Sequence, residues 1–114
     1  MGTLFRLRDY RAKQKTIYFT RPELNQLLSL YSRKVAAAEW RDYAIDHRDG
    51  VAIFSVFRHT HETALFTIMK WAAGSNRNGD YAVFTGRRRI ETGRSLAEVL
   101  AVFEKKLKIV SGAP

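Results

Sequence analysis

The chain has 114 residues, one domain's worth, and its 46% hydrophobic and 12% aromatic content can fill a single core, which argues against disorder. It has no cysteine, which excludes a disulfide framework, cysteine-ligated zinc or iron–sulfur centres, and thiol chemistry. The formal charge is +9, and it is clustered: six basic groups against one acid over residues 1–21, seven against seven over 22–86, and seven against three over 87–114. Two basic terminal blocks around a neutral middle are what polyanion binding asks for.

Residues 1–14 lack a periodic pattern and read as a basic, flexible arm. Thr16 to Phe19 is β-prone and reads as a first strand. Thr20 and Glu23 then form a T-x-x-E capping box with Pro22 in the first turn. Leu24, Leu27, Leu28, Tyr31, Val35 and Ala38 follow at helical spacing, predicting a helix over 21–38. From Trp40 the period becomes two. Trp40 to Arg48 and Val51 to Arg58 flank Asp49-Gly50, a pair suited to a type I′ hairpin turn. A two-residue turn sets Arg48 opposite Val51, Asp46 opposite Ile53 and Ile45 opposite Phe54. Tyr43, Ile45, Ala52, Phe54 and Val56 then form the core face, and Asp42, Ala44, Asp46, Ile53, Ser55 and Phe57 a mixed face suited to cover by the arm or a partner. The same register opposes Arg41 and Arg58, so the pairing slips there or an anion sits between them.

Thr63 to Trp71 reads as another strand, Ala72 to Gly79 as a loop, and Asp80 to Thr85 as a strand. Gly86 permits a turn, and Arg88 to Thr92 returns as a short last strand. Ser95 and Glu98 form a second capping box, and Leu96, Val99, Leu100, Phe103 and Leu107 predict a helix over 95–107. The expected fold is a single α+β domain over 15–110, after the arm at 1–14 and before a tail at 111–114. Its element order is β-α-β-β-β-β-(β)-α, with a meandering antiparallel sheet and both helices on one face. Leu28, Ile45, Phe54, Val56, Leu100 and Phe103 should be nearly buried. No apolar run approaches the length of a membrane span.

The strings Glu-Leu-Asn-Gln-Leu-Leu-Ser-Leu-Tyr (23–31) and Glu-Trp-Arg-Asp-Tyr-Ala-Ile-Asp (39–46), with Leu-Ala-Glu-Val-Leu (96–100), resemble a family of small, mostly alphaproteobacterial proteins grouped as a domain of unknown function, DUF2794. The likeness covers residues 16–104. It implies a bacterial, cytoplasmic protein and carries over no activity, ligand or catalytic residue.

His59-x-His61-Glu62, with His47, is the one metal-like cluster, but a polar turn between strands explains it better. Asp42, Asp46, Asp49 and Glu39 alternate with Arg41 and Arg48 and read as a solvated, salt-bridged strand rather than acid–base machinery. No nucleophile elbow, phosphate-binding glycine loop or dinucleotide fingerprint is present, so the chain reads as a non-enzymatic protein needing neither metal nor cofactor. The sharpest local feature is Arg87-Arg88-Arg89 with Arg94. Arginine forks match phosphates, whereas charge on an edge strand also protects it from pairing.

Two readings follow. In the first, a nucleic-acid-binding module uses Arg87, Arg88, Arg89, Arg94, Lys105, Lys106 and Lys108 on phosphates. Tyr10, Tyr18, Tyr81 or Phe84 would be stacking groups where exposed. In the second, an interaction or assembly module docks an acidic partner or a second copy of itself through Trp40, Arg41, Tyr43, Phe57 and Trp71. Attachment of Leu4, Phe5 and Leu7 to a membrane surface is a weaker third.

Overall fold

The computed structural model describes residues 16–59, 63–75 and 79–112, with side chains to Glu104. Residues 1–14, the expected arm, lie outside this range.

The capping box at Thr20 forms as its spacing requires. The N–H of Glu23 donates to Thr20 Oγ1 at 3.3 Å, and the N–H of Thr20 donates to Glu23 Oε1 at 2.7 Å. It opens helix α1, Arg21–Ala36. The helix stops two residues short of the expected end, with Ala38 in the left-handed region at φ 60°. Its buried line is Leu27, Leu30 and Lys34. Leu28 is only half-buried and Val35 is exposed, so the apolar stripe is rotated from the expected one. The Lys34 ammonium explains the difference. It takes a core-facing position, donates to Glu39 Oε1 at 3.2 Å and lies 6.0 Å from the centre of the Trp40 ring.

Five antiparallel strands follow: β1 Asp42–Arg48, β2 Val51–Phe57, β3 Phe66–Trp71, β4 Tyr81–Thr85 and β5 Arg88–Gly93. They pair in chain order, leaving β1 and β5 at the two edges. The β1–β2 register is Arg48↔Val51, Asp46↔Ile53 and Ile45↔Phe54, as the two-residue turn requires. The turn itself differs from type I′. Among the described residues Ala38 alone combines a side chain with positive φ, so Asp49 stays in the ordinary region while Gly50 sits at φ +76°. Positive φ at the second central residue alone is the type II pattern. At the other end of the hairpin the ladder stops at Asp42↔Phe57, one step before Arg41 would face Arg58.

The expected first strand does not form. Residues 16–20 are extended but join no ladder. Two of their carbonyls meet side chains instead: Lys70 Nζ donates to Tyr18 O at 2.8 Å, and His47 Nδ1 lies 3.0 Å from Ile17 O. Helix α2, Leu96–Gly112, closes the fold. Its Ser95 Oγ accepts from the Glu98 N–H at 3.2 Å, while the Glu98 carboxylate takes the N–H of Arg94 at 3.0 Å.

Both helices lie on one face of the sheet. Leu27, Leu30, Leu96, Val99, Leu100 and Phe103 enclose Ala52, Phe54, Val56, Ile68 and Val83 in one cluster. Cross-strand partners share a face, so Tyr43 and Ile45 belong to this side too. Ile45 is nevertheless 40% exposed, against the expectation of burial, because β1 is an edge strand that α1 touches at Tyr43, through Tyr31, rather than covers. The opposite face carries Ile53, Met69, Ala82 and Thr92 in one row and Ser55, Thr67, Phe84 and Arg89 in the next. No described helix is long and apolar enough to cross a membrane.

Candidate nucleic-acid interface

The β4–β5 hairpin positions the arginine run. Gly86, at φ +61°, supplies the left-handed residue of the two-residue turn between Thr85 and Arg88, and Arg87 completes it. A bulge in β5 between Arg89 and Glu91 then leaves Ile90 without a direct partner. Its consequence is directional. Ile90 packs against the core, while Arg89 pairs with Phe84 on the helix-free face, its guanidinium 5.9 Å from the ring centre. Arg87, Arg88 and Arg89 are all exposed.

The meander decides which other cations join them. The start of β1, the end of β2, the end of β4 and the start of β5 all lie at one end of the sheet. Arg41, Arg58 and the Arg87–Arg89 turn, from three separate stretches of sequence, therefore stand along that end, with β2 about 10 Å from β4 and β1 about 19 Å from β5 at the usual strand spacing. All five arginines are exposed, and none forms a salt bridge with a described residue. Arg58 was singled out in the sequence only for its clash with Arg41, yet that clash was the signal that two cations converge there. Arg94 departs from the group. It follows Gly93 at the other end of β5, roughly 15–20 Å away at a strand's rise per residue. Lys105, Lys106 and Lys108 lie on α2, but their side chains are outside the described residues.

The helix-free face behind this basic end is lined by half-buried Ile53, Phe57, Met69, Trp71 and Phe84. Of the suggested stacking groups among the described residues, Phe84 alone stands on this face. Tyr18 is 61% exposed but sits against His47 with ring centres 4.4 Å apart, on the helix side. Tyr81 donates its hydroxyl to Glu23 Oε2 and is committed to the fold; burial first, then that bond, push its pKa up. Tyr10 is outside the described residues.

The proposed protein-docking residues do not form one surface. Trp40 is 3% exposed and packs edge-on against Phe103 at 5.3 Å, which removes its ring from any docking partner. Tyr43 faces the helix side while Phe57 and Trp71 face the other, Trp71 at the end away from Arg41 and Phe57.

The topology removes His47 from the metal-like cluster. His47 lies near the turn end of β1 and His59 beyond the far end of β2, so a seven-residue strand, about 20 Å, separates them. His61 and Glu62 are outside the described residues, and among the described ones no three His, Asp or Glu side chains gather as metal ligands. Asp42 and Asp46 cap backbone groups instead: Asp42 Oδ1 accepts from the Tyr43 N–H and Asp46 Oδ1 from the His47 N–H, each at 2.8 Å. The backbone bond to His47 and then the Arg48 side chain hold the Asp46 carboxyl below the usual range.

A model of the family described as "Protein of unknown function (DUF2794)" matches residues 17–100. The chain belongs to this family. The DUF2794 match spans α1, the whole sheet and the start of α2, and so includes all five arginines of this end but not Lys105, Lys106 or Lys108. No curated protein and no solved structure matches the chain.

Proposed function

We propose that this DUF2794 protein is a non-enzymatic binding module of the bacterial cytoplasm that takes nucleic acid at the basic end of its sheet. The observation that carries the reading is the row of Arg41, Arg58, Arg87, Arg88 and Arg89 along one end of the sheet, exposed and without a described acidic partner, beside an aromatic-lined sheet face. Guanidinium forks bond phosphate oxygens bidentately, and such contacts position a strand without reading its sequence. Phe84, already beneath Arg89, offers a ring on which an unpaired base can stack.

Salt-titrated binding to single-stranded DNA, duplex DNA and RNA tests this. Each phosphate neutralised contributes about −0.7 to −0.9 to the slope of log K against log salt, so three or four engaged arginines give roughly −2 to −4. Replacing Arg87, Arg88 and Arg89 by alanine weakens binding to all sequences alike and flattens the slope. Arg58→Ala weakens it further, whereas Arg94→Ala, at the other end of β5, changes little. Absence of binding to DNA and RNA at low salt, where electrostatics are strongest, would overturn the proposal.

A further inference from the structure

We infer that β1 is a homodimer interface: a second copy of this chain pairs antiparallel along its open edge, with Ile45 on the twofold axis, joining two five-stranded sheets into one. Three observations converge there, none of which the nucleic-acid reading uses. The large hydrophobic side chains left exposed among the described residues are Tyr18, Val35, Tyr43 and Ile45, at 61, 41, 39 and 40%. Tyr43 and Ile45 are on β1, Tyr18 sits against His47 of β1, and Val35 follows Tyr31, the α1 residue that meets Tyr43, by one helical turn. Tyr43 stacks on Phe54 at 5.3 Å and meets Tyr31 edge-on at 4.8 Å. Half of an aromatic layer is thus built and left open on one side.

The backbone of the edge faces outward. The N–H groups of Tyr43 and His47 bond to the carboxylates of the residues before them rather than to β2. Alternate residues of a strand direct their N–H and C=O the same way, so Ile45, between the two, shares that direction. Those two Asp caps hold an edge that has no strand beside it, and they are displaced when one arrives.

The sequence of β1 is complementary to its own reverse. With Ile45 opposite the second copy's Ile45, Tyr43 faces the second copy's His47, and Asp42 faces the second copy's Arg48. The outward-facing residues pair with outward-facing ones, which is what exchange of ladder bonds requires. Sliding the strands by one step to either side puts Asp42 opposite Asp46, or Asp46 opposite itself, and like charges directly opposed are unfavourable. Pairing shifted by a single residue sets outward backbone against inward. One register therefore satisfies charge, side-chain face and backbone direction together, as a self-complementary isologous contact must.

Sedimentation equilibrium on the full chain tests this. The wild type is expected to dimerise. Ile45→Lys sets two ammonium groups on the axis and should yield a monomer with unchanged circular dichroism. Asp42→Arg alone and Arg48→Asp alone each oppose like charges twice and should weaken self-association about tenfold or more. Mixed together, these two variants restore both opposite-charge pairs and should form a heterodimer. A wild type that stays monomeric at millimolar concentration overturns the proposal and leaves the edge to residues 1–15 or a different protein. A dimer that survives Ile45→Lys overturns its location, and a mixture that stays monomeric overturns its register.

Discussion

Glu23 shows how much of a residue's role is local. Its bond to Thr20 was legible from spacing, because a capping box is a matter of three residues. The remainder was not, because Lys70 and Tyr81 are brought to it only by the sheet. Lys70 Nζ donates to Glu23 Oε1 at 2.7 Å, and Tyr81 donates to Oε2. Burial alone would raise the carboxyl's pKa, but bonds from Lys70, Tyr81 and the Thr20 N–H outweigh it and hold the group below its ordinary 4.5. A depressed folded-state pKa stabilises the fold above the ordinary value and loses that contribution as the pH falls through the folded one. Glu23→Gln should therefore be less stable than wild type at pH 7, by about 1–3 kcal/mol, with the half-buried Lys70 keeping its bond to Tyr18 O but losing its counter-charge. Urea unfolding from pH 7 downward should show the gap narrowing below about 4.5 and closing in stronger acid.

At the scale of the element, hairpins and caps were readable because their chemistry is contiguous. Gly50 and Gly86 both take the positive φ their turns demand. Gly79 is different. It sits at φ +120°, and a Cβ there would lie 2.2 Å from the carbonyl oxygen of Gly93, on the neighbouring strand β5. Gly79→Ala should cost about 2–3 kcal/mol or more from strain and backbone collision together. Gly50→Ala meets open space and should cost only about 1–2 kcal/mol of left-handed strain. Paired thermal denaturation distinguishes the two. The rotated stripe of α1 is the counterexample to easy reading. Periodicity sees hydropathy alone, and a lysine whose ammonium finds Glu39 while its stem stays buried counts as a surface residue in any such scan.

For the whole molecule, placing both helices on one side completes the core and leaves the other face open. Leu100 and Phe103 close the core over strands that precede them by up to 50 residues, so Leu100→Ala should cost on the order of 2–5 kcal/mol in chemical denaturation. The same arrangement separates charge from apolar surface: arginines at one end, Phe84 and its neighbours on the face behind. Phe84→Ala should accordingly reduce nucleic-acid affinity while leaving the salt slope unchanged, since stacking releases no counterions. A slope that falls with Phe84 would show that the ring serves only to hold Arg89.

The sequence by itself determined the α+β class, the capping boxes, the β1–β2 register and the two faces of that hairpin. Each depends on residues a few positions apart, or on a period that one strand or helix imposes alone. Only the tertiary structure decided that Trp40 is core and that Arg94 stands apart from Arg87. The same holds for the placing of Arg41 and Arg58 at the same end of the sheet as the arginine turn, and for the exposure of Ile45 at a sheet edge. These are consequences of strand order and of which face the helices cover, and long-range pairing is not written into any local window of the chain.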